Sequence, residues 1–325
     1  MRRREFIIIL GSAALAWPRL LRAQGKAPVI GFLSALSEAR AAPQLAGFRR
    51  GLNEVGLMES QNLAIEFRWS DGRYDQLPAM AADLVRRPVD LILAQGPPAA
   101  LAAGAATTTI PIVFVVGFDP VAGGLVKSFN QPGGNATGFT LMTAPLGQKR
   151  LEILREIAPN AAVVAMLTNP ISADAAPEIT DIQAAAKALR LEIKMFDATN
   201  QSEIEAAFEA IGRQVPDALI VGSDPFLLDQ REKIVALAAH LRVPAIYPFR
   251  DFAASGGLIS YGTNIANAYR QAGIYAGKIL KGGKPANLPV MQPTTFELVV
   301  NLKTAKMLGF DIPATLHARS DEVIE

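Results

Sequence analysis

Apolar residues in this chain fall into two alternating patterns. Short, mostly apolar runs occupy residues 29–33, 89–94, 112–116, 163–167, 192–196, 217–221 and 245–247, each followed within two residues by Gly, Pro, Asn, Asp or Ser. Such bounded runs predict buried strands. Between them lie stretches with helical spacing. Residues 43–55 place Leu45, Phe48, Leu52 and Val55 on one face, and Gly56 stops the pattern. Residues 75–87 do the same with Leu77, Met80, Leu84 and Val85. Further helices are predicted over 99–106, 146–157, 177–189, 202–211, 225–241 and 266–280. Residues 62–69 alternate strictly, with Leu63, Ile65, Phe67 and Trp69 to one side and Glu66 and Arg68 to the other. Strand and helix in steady alternation predict an α/β fold of parallel sheets flanked by helices.

One unit occurs twice. Residues 89–98 and 216–225 each run from a charged edge through an apolar strand to Gly and then Pro, as Gln95-Gly96-Pro97-Pro98 and Gly222-Ser223-Asp224-Pro225. In parallel α/β sheets ligands sit at the carboxyl ends of the strands, beside helix N-termini. Two such units predict two lobes facing one another across a cleft. Turn-rich residues 130–135 precede 137–140, read as a first crossing between lobes; 256–262 and 296–301 read as a second and a third. The expected division is a leader over 1–23, a first lobe of 27–141 plus 263–289, and a second lobe of 142–262 plus 290–325. A closing helix at 304–308 and a tail complete it.

The first residues read as an address. Arg2-Arg3-Arg4-Glu5-Phe6-Ile7 precedes an apolar run to Trp17, then Pro18 and Leu21-Arg22-Ala23-Gln24. The run is shorter than the roughly 20 apolar residues a bilayer requires. It predicts export with cleavage after Ala23, by a twin-arginine signal or an ordinary secretory one. The mature chain is then expected in a bacterial periplasm, outside the membrane and monomeric.

Charge and composition narrow the chemistry. Residues 1–24 hold five of the 32 basic residues and one of the 30 acidic ones, so the remainder carries 27 against 29, a net −2. That balance, without a basic stripe, argues against nucleic acid. With no Cys, disulfides, thiolate metal sites, Cys nucleophiles and N-terminal lipidation are all excluded. Only His240 and His317 are present, and no metal-ligand spacing, phosphate loop or nucleophile elbow appears. Gly273-Ile274-Tyr275-Ala276-Gly277-Lys278 falls one residue short of a phosphate loop and lies within a helical pattern. No catalytic residue, cofactor or metal is expected.

What remains is a binding cleft. Ser34, Gln95, Asn169 and Ser223 stand at strand ends as hydrogen-bonding groups. N–H groups at Pro98-Ala99 are candidates to hold a carboxylate, and Asp119 and Asp224 to pair with an ammonium. Phe118, Tyr247, Phe249 and Tyr261 are candidates to cover an apolar side chain. Together they suggest a zwitterion with an apolar tail. Asp119 and Asp224, each before Pro, equally fit plain helix caps.

Longer stretches carry a resemblance. They are Glu66-Phe67-Arg68-Trp69 with Asp71-Gly72, residues 81–85, 106–114 and 119–126, Gly133-Gly134-Asn135-Ala136-Thr137-Gly138, Gly256-Gly257-Leu258-Ile259-Ser260-Tyr261-Gly262, 296–305, and the closing Asp321-Glu322-Val323-Ile324-Glu325. In these the chain resembles the ABC-transporter substrate-binding proteins typified by bacterial tryptophan/tyrosine-binding lipoproteins. The resemblance implies a type I periplasmic-binding-protein fold with three crossings, closing on a small ligand, and a permease with its ATPase as partners. It implies ligand contacts at Ser34, Pro98, Ala99, Asn169 and Asp224. The family's lipidation Cys is absent, and residues 35–40 depart from the aromatic-amino-acid binders. The expected function is that of a periplasmic solute receptor for an amino acid or related small carboxylate. The alternatives are a ligand-sensing module for a signalling receptor and, further off, a secreted α/β hydrolase.

Overall fold

A computed structural model describes residues 27–325; the expected leader and its cleavage after Ala23 fall outside them. The first unit holds β1 (Val29–Ser34), α1 (Ala42–Glu54), β2 (Ala64–Trp69), α2 (Leu77–Arg86), β3 (Leu91–Gln95), α3 (Pro97–Ala106), β4 (Ile112–Val116) and β5 (Ala136–Thr140). Its strands form one parallel sheet in the order β2-β1-β3-β4-β5. The inner strands are buried along their whole length, as a sheet covered on both faces requires. Edge strand β2 is half-buried and turns Phe67 and Trp69 onto Phe32, as its alternation predicts.

The second unit follows with α4 (Gly147–Ile157), β6 (Val163–Thr168), α5 (Ala175–Leu189), β7 (Glu192–Asp197), α6 (Gln201–Gln214), β8 (Ala218–Val221), α7 (Pro225–Asp229), α8 (Arg231–His240), β9 (Ala245–Tyr247), α9 (Arg250–Ala254) and β10 (Ile259–Gly262). The chain then returns to the first unit as α10 (Ile265–Leu280), which packs on α1 and under β3, β4 and β5. After Met291, bridged to Phe139 of the first sheet, it leaves again as β11 (Glu297–Asn301), α11 (Leu302–Leu308), α12 (Ala314–Arg319) and β12 (Glu322–Ile324). The second sheet runs β12-β11-β10-β9-β8-β6-β7.

Three expectations change here. Residues 137–140, 256–262 and 296–301, read as crossings, hold the sheet strands β5, β10 and β11, and the chain passes between units in the short segments beside them. Glycine misleads, because it marks close packing instead of freedom. A Cβ on Gly138 would lie 2.0 Å from the Phe114 carbonyl oxygen, and one on Gly262 1.9 Å from that of Pro248. The second sheet is mixed, since β11 runs antiparallel to β10 while β12 runs parallel to β11. The helix expected over 225–241 is broken at Gln230 into α7 and α8.

Gly273 and its neighbours serve packing, as their place in a helical pattern suggests. A Cβ on Gly51 would sit 1.9 Å from the Arg270 carbonyl oxygen, and one on Gly273 2.2 Å from that of Phe48. Backbone therefore meets backbone between α1 and α10, which anchors the returning helix to the first unit. Among the described residues, no helix is long and apolar enough to cross a membrane.

Candidate functional site

The two Gly-Pro loops meet. Gly96 ends β3 at φ 84°, and a Cβ there would come within 2.9 Å of Pro225 Cγ at the start of α7. Between the loops lies a cavity of about 40 Å³, lined from the first unit by Leu36, Gln95 and Gly117 and from the second by Asp174, Asp224 and Phe249. That volume suits a few waters at most, so the units stand closed and no solute reaches the centre without their parting. A wider cavity of about 620 Å³ shares Gly117 with the first and is lined by Phe118, Phe129, Met142 and Pro145.

Polar contacts close the mouth. The Tyr74 hydroxyl donates to Asp224 Oδ2 at 2.7 Å and accepts from the Phe226 N–H at 2.9 Å. Ser37 Oγ donates to Asp229 Oδ1 at 3.1 Å, and Arg40 forms a two-pronged pair with Glu232 at 2.5 and 3.0 Å. The exposed Arg40–Glu232 pair is worth about 0–1 kcal/mol and is screened by salt. Tyr74 is the stronger latch: burial, with the Asp224 charge added, holds its hydroxyl well above the ordinary phenol range, so it stays a donor.

Behind the mouth is a buried polar layer. Asp224 Oδ1 accepts from the Leu227 N–H at 2.9 Å and from Asn169 Nδ2 at 3.2 Å, so Asp224 caps α7 and is itself braced. Arg150, fully buried, gives Nη1 to Glu178 Oε1 at 2.5 Å and Nε to the Tyr261 carbonyl at 3.0 Å. Glu178 Oε2 accepts from the Ser223 N–H at 2.7 Å, fixing the end of β8. Asp174, 2% exposed, reaches from α5 to Gly117 of the first unit, where only a missing Cβ leaves room for its Oδ2. Its Oδ1 has no partner, and neither has Oε1 of Gln95. Two unpartnered buried acceptors thus face the same cavity.

Burial, followed by the charges of Glu178 and Asp224, pushes the Asp174 carboxyl well above its ordinary value of 3.8. A carboxyl whose folded pKa is raised adds stability below its ordinary value and loses it as pH climbs through the raised one. The stability of Asp174→Asn relative to the natural chain is therefore expected to improve steadily as pH is raised from about 4, the ordinary carboxyl value. Urea midpoints of the two proteins at successive pH values measure it.

The expected site residues divide. Gln95, Ser223, Asp224 and Phe249 line the smaller cavity. Ser34 and Asn169 stand behind it: Ser34 Oγ accepts from the Leu36 N–H, and Asn169 holds Asp224. Phe118 lines the wider cavity. Asp119 is exposed at that cavity's edge, where its Oδ1 accepts from Val121 and Ala122 N–H groups as a turn cap. Pro98 has no amide hydrogen to give a carboxylate, and Ala99 is buried in the packing of α3. Tyr247 stacks on Phe252 in the second unit's core, in space left by Gly257. Tyr261 faces Phe296 on the sheet. Neither tyrosine lines the smaller or the wider cavity.

Sequence reasoning missed Tyr74, Arg150, Asp174 and Glu178. Two of them carried a readable signal. Arg150 shares a helical stripe with Leu146, Leu151, Leu154 and Ile157, and Glu178 shares one with Ile182 and Ala185. Charges of opposite sign on two apolar stripes point to a buried pair.

Comparison with known proteins places this geometry. Residues 29–324 match the family model described as ABC transporter substrate binding protein. The curated Tyrosine-binding protein of Clostridioides difficile (strain R20291) is 27% identical over 262 residues, 81% of this chain and 75% of that protein. A crystal structure of a conserved domain protein from Vibrio cholerae is 26% identical at TM-score 0.86, covering 92% of this chain and all of that one. A structure from Streptococcus pneumonia, in complex with L-Trp, is 26% identical at TM-score 0.83, covering 91% of this chain and all of the other. The architecture is the type I periplasmic-binding-protein fold.

Proposed function

Starting from this chain's membership of the ABC transporter substrate-binding protein family, we propose that it is the exported receptor of an importer, taking a small amino compound between its two units and presenting it to a permease driven by an ATPase. It is a solute-binding protein and not an enzyme. The reading rests on one observation above all: strand ends of both sheets converge on a buried cavity whose mouth is shut by bonds from one unit to the other.

The mechanism follows from those bonds. With the units apart, Tyr74, Ser37 and Arg40 lose their partners to water, and the cavity opens to solvent. A solute entering beside Asp174 and Gln95 supplies the partners that they lack. Closure then restores the mouth bonds, so part of the binding free energy comes from protein–protein contacts. Hinge motion falls to the links between units; the first contains Met142, held at φ 49°. The names of relatives, one binding tyrosine and one solved with L-Trp, favour an amino compound. A periplasmic location fits the leader of residues 1–23.

Tyr74→Phe tests the closure. Losing a hydrogen bond to a carboxylate costs about 1.5–3 kcal/mol, so solute affinity is expected to fall roughly 10- to 100-fold with little change in fold. Calorimetric titration of refolded protein with a panel of amino acids and amines measures it. Affinity unchanged by the substitution counts against closure at this mouth.

A further inference from the structure

Resting on the receptor reading, we infer that the cleft recognises an organic ammonium and makes no provision for a carboxylate, so that its ligand class is an apolar-bodied amine instead of a zwitterionic amino acid.

The acceptors come first. Asp174 and Asp224, 2% and 3% exposed, line the smaller cavity together with Gln95. Asp174 Oδ1 and Gln95 Oε1 are buried there without partners. Unpartnered acceptors around a cavity call for a donor, and a carboxyl among them, Asp174, with the engaged Asp224 carboxylate lining the same cavity, calls for a cation.

The counterpart for an anion is missing. Among the described residues, no Lys, Arg or His lines either cavity. The guanidinium of Arg150 is held by Glu178 and the Tyr261 carbonyl; its Nη2 is buried without a partner near Gly262, and Arg150 lines neither cavity. Several backbone donors at these strand ends are absent or engaged, and Ala99, whose N–H has no acceptor among the described residues, lines neither cavity. Pro97, Pro98 and Pro225 have no N–H. The Gly96 N–H donates to Val115, that of Ser223 to Glu178, that of Phe226 to Tyr74 and that of Leu227 to Asp224. A ligand carboxylate near the ammonium would instead meet Asp174 and Asp224, a like charge on two sides.

The body has a place. Asp174 sits at Gly117, where the two cavities meet. From an ammonium at Asp174, an aromatic or branched body reaches the cavity of about 620 Å³ lined by Phe118, Phe129 and Met142. A cation beside Asp174 opposes the upward shift that burial gives its carboxyl, so the two form an ion pair.

Matched ligands test this. Residues 24–325 are unfolded, refolded to strip any carried ligand, and titrated by calorimetry with tyramine, L-tyrosine and 3-(4-hydroxyphenyl)propionate, then with the isoamylamine, L-leucine and 4-methylpentanoate trio. The amine of a trio is expected to bind at least tenfold tighter than its amino acid, and the acid to give no heat. Asp174→Asn is expected to cost the amine about a hundredfold, with the circular dichroism spectrum unchanged. An amino acid that outbinds its amine, or an acid that binds, overturns the inference while leaving the receptor reading in place. Amine binding that is indifferent to Asp174→Asn overturns the site assigned to the ammonium. No heat from any compound of either trio counts against both the inference and the receptor reading.

Discussion

Arg150→Met is expected to lower the stability of the second unit by about 3–5 kcal/mol, the cost of leaving one member of a buried pair alone. Arg150 and Glu178 are 0% and 1% exposed, so water cannot replace the lost partner. Burial already disfavours both charges, lowering the guanidinium and raising the carboxyl from their ordinary values, and each is held charged by the other. Without Arg150, Glu178 must take a proton or draw water into the core, and its grip on the Ser223 N–H weakens. The melting temperature should drop by roughly 10 °C. Pairing the change with Glu178→Leu removes the stranded charge and should recover most of the loss. A double variant no more stable than Arg150→Met alone would show that the arginine matters through packing and its bond to the Tyr261 carbonyl.

Asp224→Ala is expected to strike folding and binding together. The substitution strands three donors: the Leu227 N–H, Asn169 Nδ2 and the Tyr74 hydroxyl. Loss of the α7 cap alone costs about 1 kcal/mol, and unpaired buried donors add to it, for a total of about 2–3 kcal/mol. The cross-unit latch goes as well, so solute affinity should fall about a hundredfold or more. Asp224→Asn keeps one acceptor for the cap but faces Tyr74 with an amide and removes the charge. Comparing the two variants by thermal unfolding and calorimetry therefore separates the cap from the latch and the charge. Stability restored by Asn with affinity still lost assigns Asp224 a part in binding, through its charge or the Tyr74 latch; both restored leaves it a cap.

Much of this architecture was legible along the chain because it is local. Apolar runs such as Ile112–Val116 and the helical stripe of Leu45, Phe48 and Leu52 depend on neighbours in sequence alone. The repeated Gly-Pro unit was legible for the same reason, and its two copies do face each other, Gly96 against Pro225. What depends on distant partners was not. The antiparallel pairing of β11 on β10 leaves no mark in either strand. The segments of β5 and β10 read as crossings in sequence, and nothing in them announces the neighbouring carbonyl that each glycine, Gly138 and Gly262, admits. Tyr247 was expected at the cleft because it ends a strand, but Gly257 opens a slot for its ring in the core. Asp174 lies on a loop-to-helix step with no motif around it, and its importance comes from Gly117, 57 residues earlier, on the other unit.

The account stands or falls on two units that close over a solute. The chain has no Cys, so Glu38→Cys and Ala236→Cys, exposed positions beside the mouth on either unit, accept a unique pair of spin labels. Pulsed dipolar spectroscopy on the refolded protein then reads the gap directly. Long, broad distances are expected without solute, and one short, narrow distance once tyramine or L-tyrosine saturates the protein. A distance that does not change when calorimetry shows either compound bound would contradict it.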